Sequence, residues 1–384
     1  MSHRSSHSSA LRFLDSHSMA TTLRWQFCTP FQVLRGIAHT ASGFYLMRYT
    51  PAMRLDAQLR GESALIERIA RQARDLPSLA QVTVVEAIGD DTAVLQVGDQ
   101  TLLWTADMLI EGVHFRLDWI DARSLGWKSL AVNLSDIAAM GGEPVGALLS
   151  LALPPNQTAD WLDEFVAGFM ECAHAYRTRL LGGDTNRAER ITIDVSVLGV
   201  VSGRPLLRRG AQVGDLILVT GALGGSRAGL EALQAGKGES VDLMSHFRPN
   251  PRLEVGSLAR MLGATAMMDL SDGLAADLPK LLRASNKGAI VRRTAIPVHD
   301  AALRWAQAHN VDPVAFALAG GEDYELLITA PPATTPTLLE QIPQQTGVPL
   351  SVIGEVIGSG ELWLESPEGQ RESFGITGWD HFTV

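Results

Sequence analysis

Nine carboxylates stand at the ends of short apolar runs, all but Asp107 within two residues of a glycine or serine: Asp90, Asp91, Asp107, Asp136, Asp184, Asp269, Asp272, Glu322 and Asp323. They fall in compact signatures, namely Gly89-Asp-Asp-Thr-Ala, Thr105-Ala-Asp, Asn133-Leu-Ser-Asp, Gly182-Gly-Asp-Thr, Asp269-Leu-Ser-Asp-Gly and Gly320-Gly-Glu-Asp-Tyr. A carboxylate in a turn can reach a ligand without distorting a helix. Gathered in one cleft, such groups would repel one another unless divalent cations neutralised them. Mg²⁺ is the expected ion, because it prefers oxygen ligands, keeps part of its water shell and bridges carboxylates to phosphate oxygens.

Each signature also has a plainer reading. Gly-Asp-Asp alone is a hairpin or Asx turn. Asp136 can be a polar position within a helix or a satisfied buried acid. Asp269 to Gly273 reads as a helix N-cap, with Ser271 or Asp272 capping a helix from Leu274. Recurrence of the pattern in six turns is what favours a metal-and-phosphate site. The Gly-rich stretch Gly221-Ala-Leu-Gly-Gly-Ser226 lacks both the Gly-Lys-Ser/Thr of a P-loop and the Gly-x-Gly-x-x-Gly of a dinucleotide fold, so it reads as a structural strand-to-helix turn. His114 is one of ten histidines, and a lone histidine is more often structural. No Cys/His zinc pattern and no Gly-x-Ser-x-Gly elbow is present, which disfavours zinc and serine-hydrolase chemistry.

The elements that must position these acids follow from periodicity. Glu62 to Ala73 has apolar residues at helical spacing. Val82–Val85, Ala93–Val97 and Thr101–Ala106 are short β-branched or apolar runs separated by Gly-Asp turns, which is hairpin spacing. A helical pattern covers Leu125–Met140 and ends at Gly141-Gly142, and the strand Val145–Leu153 and the helix Trp161–Ala175 follow. The strand Ile191–Val201 leads to a turn-rich, basic junction at Ser202–Gly210. Beyond it the spacing predicts strands at Leu216–Thr220, Glu325–Thr329 and Leu350–Val356, with helices at Arg227–Ala235, Leu253–Leu262, Leu274–Ala284 and Ala301–Ala308. Both halves mix helix and strand, so the expected fold class is α+β with mixed α/β sheets in two domains. The expected division is an N-terminal extension over 1–60, one domain over 61–203 and a second over 204–384.

Composition sets the outer limits. The 384 residues, 46% hydrophobic and 19% charged, suffice for packed cores. The formal net charge of −10 argues against a general nucleic-acid surface. It is unevenly spread: residues 1–60 hold seven arginines against Asp15 and Asp56, a net of +5, leaving −15 on the rest. That Ser/His/Arg-rich opening lacks the apolar stretch of a secretory signal; a transit peptide, a disordered tail, or upstream sequence before a start at Met47 or Met53 all fit it. Cys28 and Cys172 form no disulfide framework, as expected for a reducing compartment. No apolar run reaches the roughly 18 residues of a membrane span.

Taken in order, the motifs resemble the thiamine-monophosphate kinase family, within the superfamily of aminoimidazole ribonucleotide synthetase and selenophosphate synthetase. The resemblance runs from Gly61 to Phe382 and rests on Gly61-Glu62, Gly-Asp-Asp, the segment of Asp107 and His114, Ala131-Val-Asn-Leu-Ser-Asp-Ile-Ala-Ala-Met-Gly141, Gly-Gly-Asp-Thr, Asp-Leu-Ser-Asp-Gly-Leu, Ala319-Gly-Gly-Glu-Asp-Tyr-Glu-Leu and Gly378-Trp-Asp-His-Phe. It implies a two-domain fold like that of aminoimidazole ribonucleotide synthetase. The activity it implies is direct in-line transfer of the ATP γ-phosphoryl group to thiamine monophosphate, giving thiamine diphosphate and ADP in the last step of that cofactor's biosynthesis. No general base or covalent nucleophile is required, because positioning and several Mg²⁺ ions carry the reaction.

Carried over by motif, the resemblance implies metal ligation by Asp91, Thr105, Asp107, Asp136, Asp184, Asp269 and Asp272. It implies ATP contacts at Gly183, Asp184, Arg208 and Ser271, and a thiamine-phosphate site at His114, Glu322 and Trp379. Ala106 departs from the pattern, since the family commonly has threonine there: a ligating hydroxyl would be lost, whereas a ligating carbonyl would be kept. The resemblance further implies a cytoplasmic homodimer joined through its N-terminal domain. Residues 61–89 contain neither Cys nor Lys, unlike selenophosphate synthetases, and the chain lacks the Cys-bearing tail of the hydrogenase-maturation branch. Aminoimidazole ribonucleotide synthetase is the nearest rival, and a catalytically silent sensor of thiamine phosphates is the alternative of another class.

Overall fold

A computed structural model describes residues 62–73 and 81–374. Trp379, its terminal motif and the extension 1–60 lie outside the described residues. In chain order the elements are α1 (Glu62–Ala73), β1 (Val82–Glu86), β2 (Ala93–Val97), β3 (Gln100–Ile110), α2 (Ala122–Ala139), β4 (Glu143–Leu153), α3 (Ala159–Ala175), β5 (Arg179–Arg187) and β6 (Thr192–Val201). There follow β7 (Leu216–Thr220), α4 (Gly225–Gln234), α5 (Met244–Phe247), α6 (Leu253–Met261), β8 (Ala266–Asp269), α7 (Leu274–Ser285), β9 (Gly288–Arg292), α8 (Asp300–Ala308), α9 (Pro313–Leu318), β10 (Leu326–Ala330), α10 (Thr335–Thr346), β11 (Leu350–Ile357), β12 (Leu362–Glu365) and β13 (Arg371–Ser373).

The strands form two mixed sheets, as the α+β expectation requires. A six-stranded sheet runs β1-β2-β3-β6-β4-β5, and a seven-stranded sheet runs β13-β12-β9-β11-β7-β10-β8. Among the described strands, only β4–β5 and β9–β12 pair in parallel. The long central strands alternate strictly: on β3, Leu103, Thr105 and Leu109 are buried while Trp104 and Met108 are exposed. The buried face of this sheet is covered by α2 and α3, whose Leu125, Leu130, Leu134, Phe165 and Phe169 share one core with Val195 and Val197 of β6.

Helix α2 is buried over most of its length because it lies in two cores at once. Asp121 caps its N-terminus by accepting the Ser124 N–H at 2.8 Å. At its other end, Ala138 and Ala139 join Val255, Met267 and Ile328 in a core against the seven-stranded sheet. Two glycines let it approach α3 backbone to backbone: a Cβ on Gly126 would stand 1.9 Å from the Phe165 carbonyl oxygen, and one on Gly168 would stand 1.7 Å from that of Arg123.

Three features differ from the sequence expectations. Gly182-Gly-Asp-Thr is not a turn but the middle of β5. The N-cap position of helix α7 is Gly273, with φ 97° and no side-chain cap, so neither Ser271 nor Asp272 caps it; instead Asp277 reaches back to accept the Asp272 N–H at 2.9 Å. The elements α5, α9, α10, β5, β8, β9, β12 and β13 have no counterpart among the periodic segments. Pro336 and Pro343 hide α10, and the wholly buried four-residue Ala266–Asp269 strand is too short to show alternation.

Gly168→Ala should therefore lower the Tm. In an open helix this change stabilises by about 0.5–1 kcal/mol, whereas overpacking at the α2–α3 crossing costs about 1–3 kcal/mol. The sign of the shift in thermal denaturation identifies the crossing as the cause.

Candidate active site

The strand β3 and the helix α2 face each other, and between them the scattered acids converge. Asp91, Asp136 and Asp269 each offer a carboxylate oxygen within 4.8 Å of the other two. They come from the β1–β2 turn, from α2 and from the end of β8, which are far apart in sequence. Ser135 Oγ donates to Asp269 Oδ2 at 2.6 Å, and Thr105 Oγ1 donates to Asp136 Oδ2 at 2.5 Å. Asn133 is held by its own helix through Ser129 and accepts the backbone N–H of Asp107 at 3.0 Å. Thus Asn-Leu-Ser-Asp of α2 is a clamp, each polar residue of which fixes one wall of the cluster.

This cluster is electrostatically loaded. Burial pushes the Asp136 carboxyl well above its usual range, and Asp107, Asp269 and Asp91 push it further. Asp269 is raised in the same way, by burial and then by Asp91. Arg208 answers part of that charge by an ion pair to Asp91, also donating through Nε at 3.1 Å. Burial opposes its charge, but Asp91 outweighs burial and raises the guanidinium pKa. Asp91 Oδ2 nevertheless remains buried with no hydrogen-bond partner, a condition that carries a desolvation penalty unless a cation occupies the site. An oxygen-only donor set with an orphaned carboxylate oxygen fits a hard divalent cation.

The cluster opens into a cavity of about 920 Å³. Asp107, Asp136, Asp269, Ser271 and Asp272 line one part of it, and His114, Lys128, His246 and Glu322 another. His114 Nδ1 accepts the Ile110 N–H at 2.9 Å, which fixes the ring in its turn. Asp272 is held by Lys280 Nζ at 2.5 Å. The loop Gly320–Glu325 continues the β8–β10 pairing beside Asp269–Asp272: the Glu322 N–H donates to Ser271 O at 2.7 Å and the Tyr324 N–H to Leu270 O at 3.0 Å. Glu322 and Tyr324 both adopt left-handed φ values, 61° and 50°, and such strain in non-glycine residues persists only where neighbours enforce it. Asp323 supplies part of that restraint, because its carboxylate accepts the N–H groups of Gly224 and Ser226 at 2.6 and 3.1 Å. The N-terminus of α4 is thereby filled from within, and the Gly221–Ser226 segment serves as a structural turn.

The structure brings together most of the residues singled out in the sequence, but not all. Ala106 turns its methyl group to the exposed face of the sheet, opposite Thr105 and Asp107, so only its backbone could serve the cluster. Gly183 and Asp184 sit on the exposed edge strand β5, three strands from β3, on the order of 14 Å at ordinary strand spacing. Asp184 is bonded there by Asn186 Nδ2 at 2.8 Å. Lys128 and His246 were missed in the sequence. Lys128 lies at i−8 from Asp136, on the same helical stripe, which was a readable signal; His246 had none.

The comparisons with known proteins fit this architecture. The AIR synthase related protein N-terminal domain matches residues 89–201, and the C-terminal domain of the same class matches 212–365. Thiamine-monophosphate kinase of Salmonella typhimurium is 38% identical over 332 residues, covering 84% of this chain and 99% of the relative. That of Rhodopirellula baltica is 34% identical, covering 83% and 97%. Among solved structures, one described as AaThiL complexed with AMPPCP and TMP has a TM-score of 0.73 at 32% identity, covering 84% of this chain and 97% of that one. The Stenotrophomonas maltophilia thiamine-monophosphate kinase has a TM-score of 0.66 at 35% identity, covering 80% and 96%. The sheets and the matched domains thus define a two-domain protein of the AIR synthase related class. Within that class, the chain belongs to the thiamine-monophosphate kinase family.

The loaded acids make stability depend on pH. Burial and then Asp91 push Asp90 up to about 7, and burial pushes Asp323 up to about 7 against the helix N–H groups. Both are ordinary carboxyls near 3.8 when unfolded. The native state therefore binds more protons, so the stability they contribute is full below 3.8 and lost as pH rises through about 7. In EDTA, the Tm should fall from pH 5.5 to pH 8, and Asp323→Asn should flatten part of that fall.

Proposed function

We infer that this protein transfers the γ-phosphoryl group of ATP to the phosphate of thiamine monophosphate, yielding thiamine diphosphate and ADP. One observation carries the chemistry: the cluster of Asp91, Asp136 and Asp269, with its orphaned carboxylate oxygen, opens into a single cavity that Glu322 and His114 also line. Two polyanions must meet there, so the chain's task is to bind and orient them and to keep water out.

In this reading Asp91, Asp107, Asp136 and Asp269 hold Mg²⁺, with the hydroxyl of Thr105 beside Asp136, the carbonyl of Ala106 in reserve and Asp272 toward a further ion. Bound there, Mg²⁺ would neutralise charge between donor and acceptor phosphates. Arg208 and Ser271 take the ATP phosphates. Burial raises the Glu322 pKa but Lys128 and then His246 outweigh it, holding the carboxyl well below its usual range, so it is charged where it meets the thiamine moiety. Trp379 and His114 complete that site, with Trp379 supplying an aromatic face for the cationic ring. No side chain is assigned as general base or nucleophile.

We further read the chain as a cytoplasmic homodimer with domains at 61–203 and 204–384. The outer face of the six-stranded sheet is uncovered and apolar, with Trp104 51%, Leu181 57% and Leu148 45% exposed, and β5 presents an exposed edge. Such a face is a protein-protein contact rather than a solvent surface. Because Gly183 and Asp184 lie on that edge, in this reading they serve the nucleotide held by a second copy.

Purified protein incubated with ATP, MgCl₂ and thiamine monophosphate should form thiamine diphosphate, and EDTA should abolish it; a folded protein with no product would overturn the assignment. Asp107→Asn should reduce turnover at least about 100-fold, several kcal/mol of transition-state stabilisation, with the fold intact. Asp184→Asn and Asp136→Asn, each inactive alone, should recover about a quarter of wild-type activity when refolded together, the statistical share of intact sites in a symmetric dimer.

A further inference from the structure

We propose that Lys128 is a positioning residue for the phosphate acceptor, acting with His246 through one oxygen of Glu322. The inference rests on the reading that Glu322 faces the thiamine end of thiamine monophosphate.

Lys128 is 1% exposed, and its Nζ lies 3.1 Å from Glu322 Oε2. His246, also buried, brings Nδ1 to 3.2 Å from the same oxygen and 2.9 Å from Ser226 Oγ. Both contacts converge on Oε2, and neither engages Oε1. A lysine this deeply buried is costly unless paired, and truncating one member of such a pair leaves an uncompensated charge. The network thus has a reason to persist only if the carboxylate it fixes has a use.

The backbone points the same way. Glu322 is held in a left-handed conformation with its N–H on Ser271 O. Fixed at the backbone and at one oxygen, the carboxylate has little rotational freedom and offers its second oxygen in one direction. That arrangement suits the exocyclic amino group on the acceptor's pyrimidine ring, beside its cationic thiazolium. Lys128, Val132 and Asp136 all line the cavity from one stripe of α2. Eight residues at the helical rise place the lysine on the order of 12 Å from Asp136, so one rigid helix sets both the acceptor-recognition end and the metal end.

The test is steady-state kinetics with thiamine monophosphate and ATP varied separately. Lys128→Met should raise the acceptor KM about 10-fold, equivalent to about 1.4 kcal/mol, while the ATP KM stays within about two-fold. His246→Asn should do the same to a smaller extent, and it keeps the proposal testable if the lysine variant does not fold. In a Glu322→Gln background neither change should add anything, because both act through that carboxylate. An unchanged acceptor KM in Glu322→Gln alone would refute the reading of Glu322 itself. A large effect in Glu322→Gln with none in Lys128→Met, or equal additive effects, would leave that reading standing and overturn this proposal. Parallel loss of both KM values with a lowered Tm would mark Lys128 as merely structural and overturn it as well.

Discussion

Carboxylates packed into the seam between two sheets repel one another, and much of this structure exists to hold them there. Asp91, Asp136 and Asp269 each belong to a different element, and burial with their neighbours' charges pushes the carboxyls of Asp136 and Asp269 well above their usual range. The fold answers with fixed donors: Thr105 on Asp136, Ser135 on Asp269 and Arg208 on Asp91. These donors weaken the repulsion but do not cancel it, since one oxygen of Asp91 still has no partner. The protein thus stores an electrostatic deficit at this seam, one that a bound cation would relieve.

Helix α2 is the member that makes this possible. It is buried on nearly all sides, lying against α3 through Gly126 and Gly168 and against the second sheet through Ala138 and Ala139. A helix so confined cannot slide or rotate without breaking two cores. Its polar residues are therefore placed with the precision that positioning catalysis demands. Asn133 and Ser135 orient Asp107 and Asp269 on other elements, and Lys128 reaches the loop of Glu322.

The loop Gly320–Glu325 is the counterpart on the second sheet. The loop, strained at Glu322 and Tyr324, is held by bonds at several points: Glu322 to Ser271, Tyr324 to Leu270, Asp323 to the start of α4, and Glu325 to Thr220 and Arg252. A segment that bent would relax if it were free. Here the backbone strain is balanced by buried charge-assisted hydrogen bonds, which leaves Glu322 facing the cavity in a defined pose.

The sequence alone determined the chemistry and most of the scaffold. Acid residues beside Gly and Ser carry their own signal because turn chemistry is local, and the alternation in β3 and β6 or the apolar period in α3 is set by which face must be buried. Local pattern also located Asp91, Asp107, Asp136 and Asp269, but not that three of them share one point while Asp184 stands three strands away; that depends on strand order, which no short-range spacing encodes. The strand carrying Gly-Gly-Asp-Thr was hidden because two glycines and an acid read as a turn, and only pairing with β4 extends them. Lys128 shares a helical stripe with Asp136 in the sequence, but its partner, and any sign of His246, came only with the packing of α2 and α5 against the Glu322 loop, because a buried ion pair is a property of tertiary contact rather than of sequence neighbours.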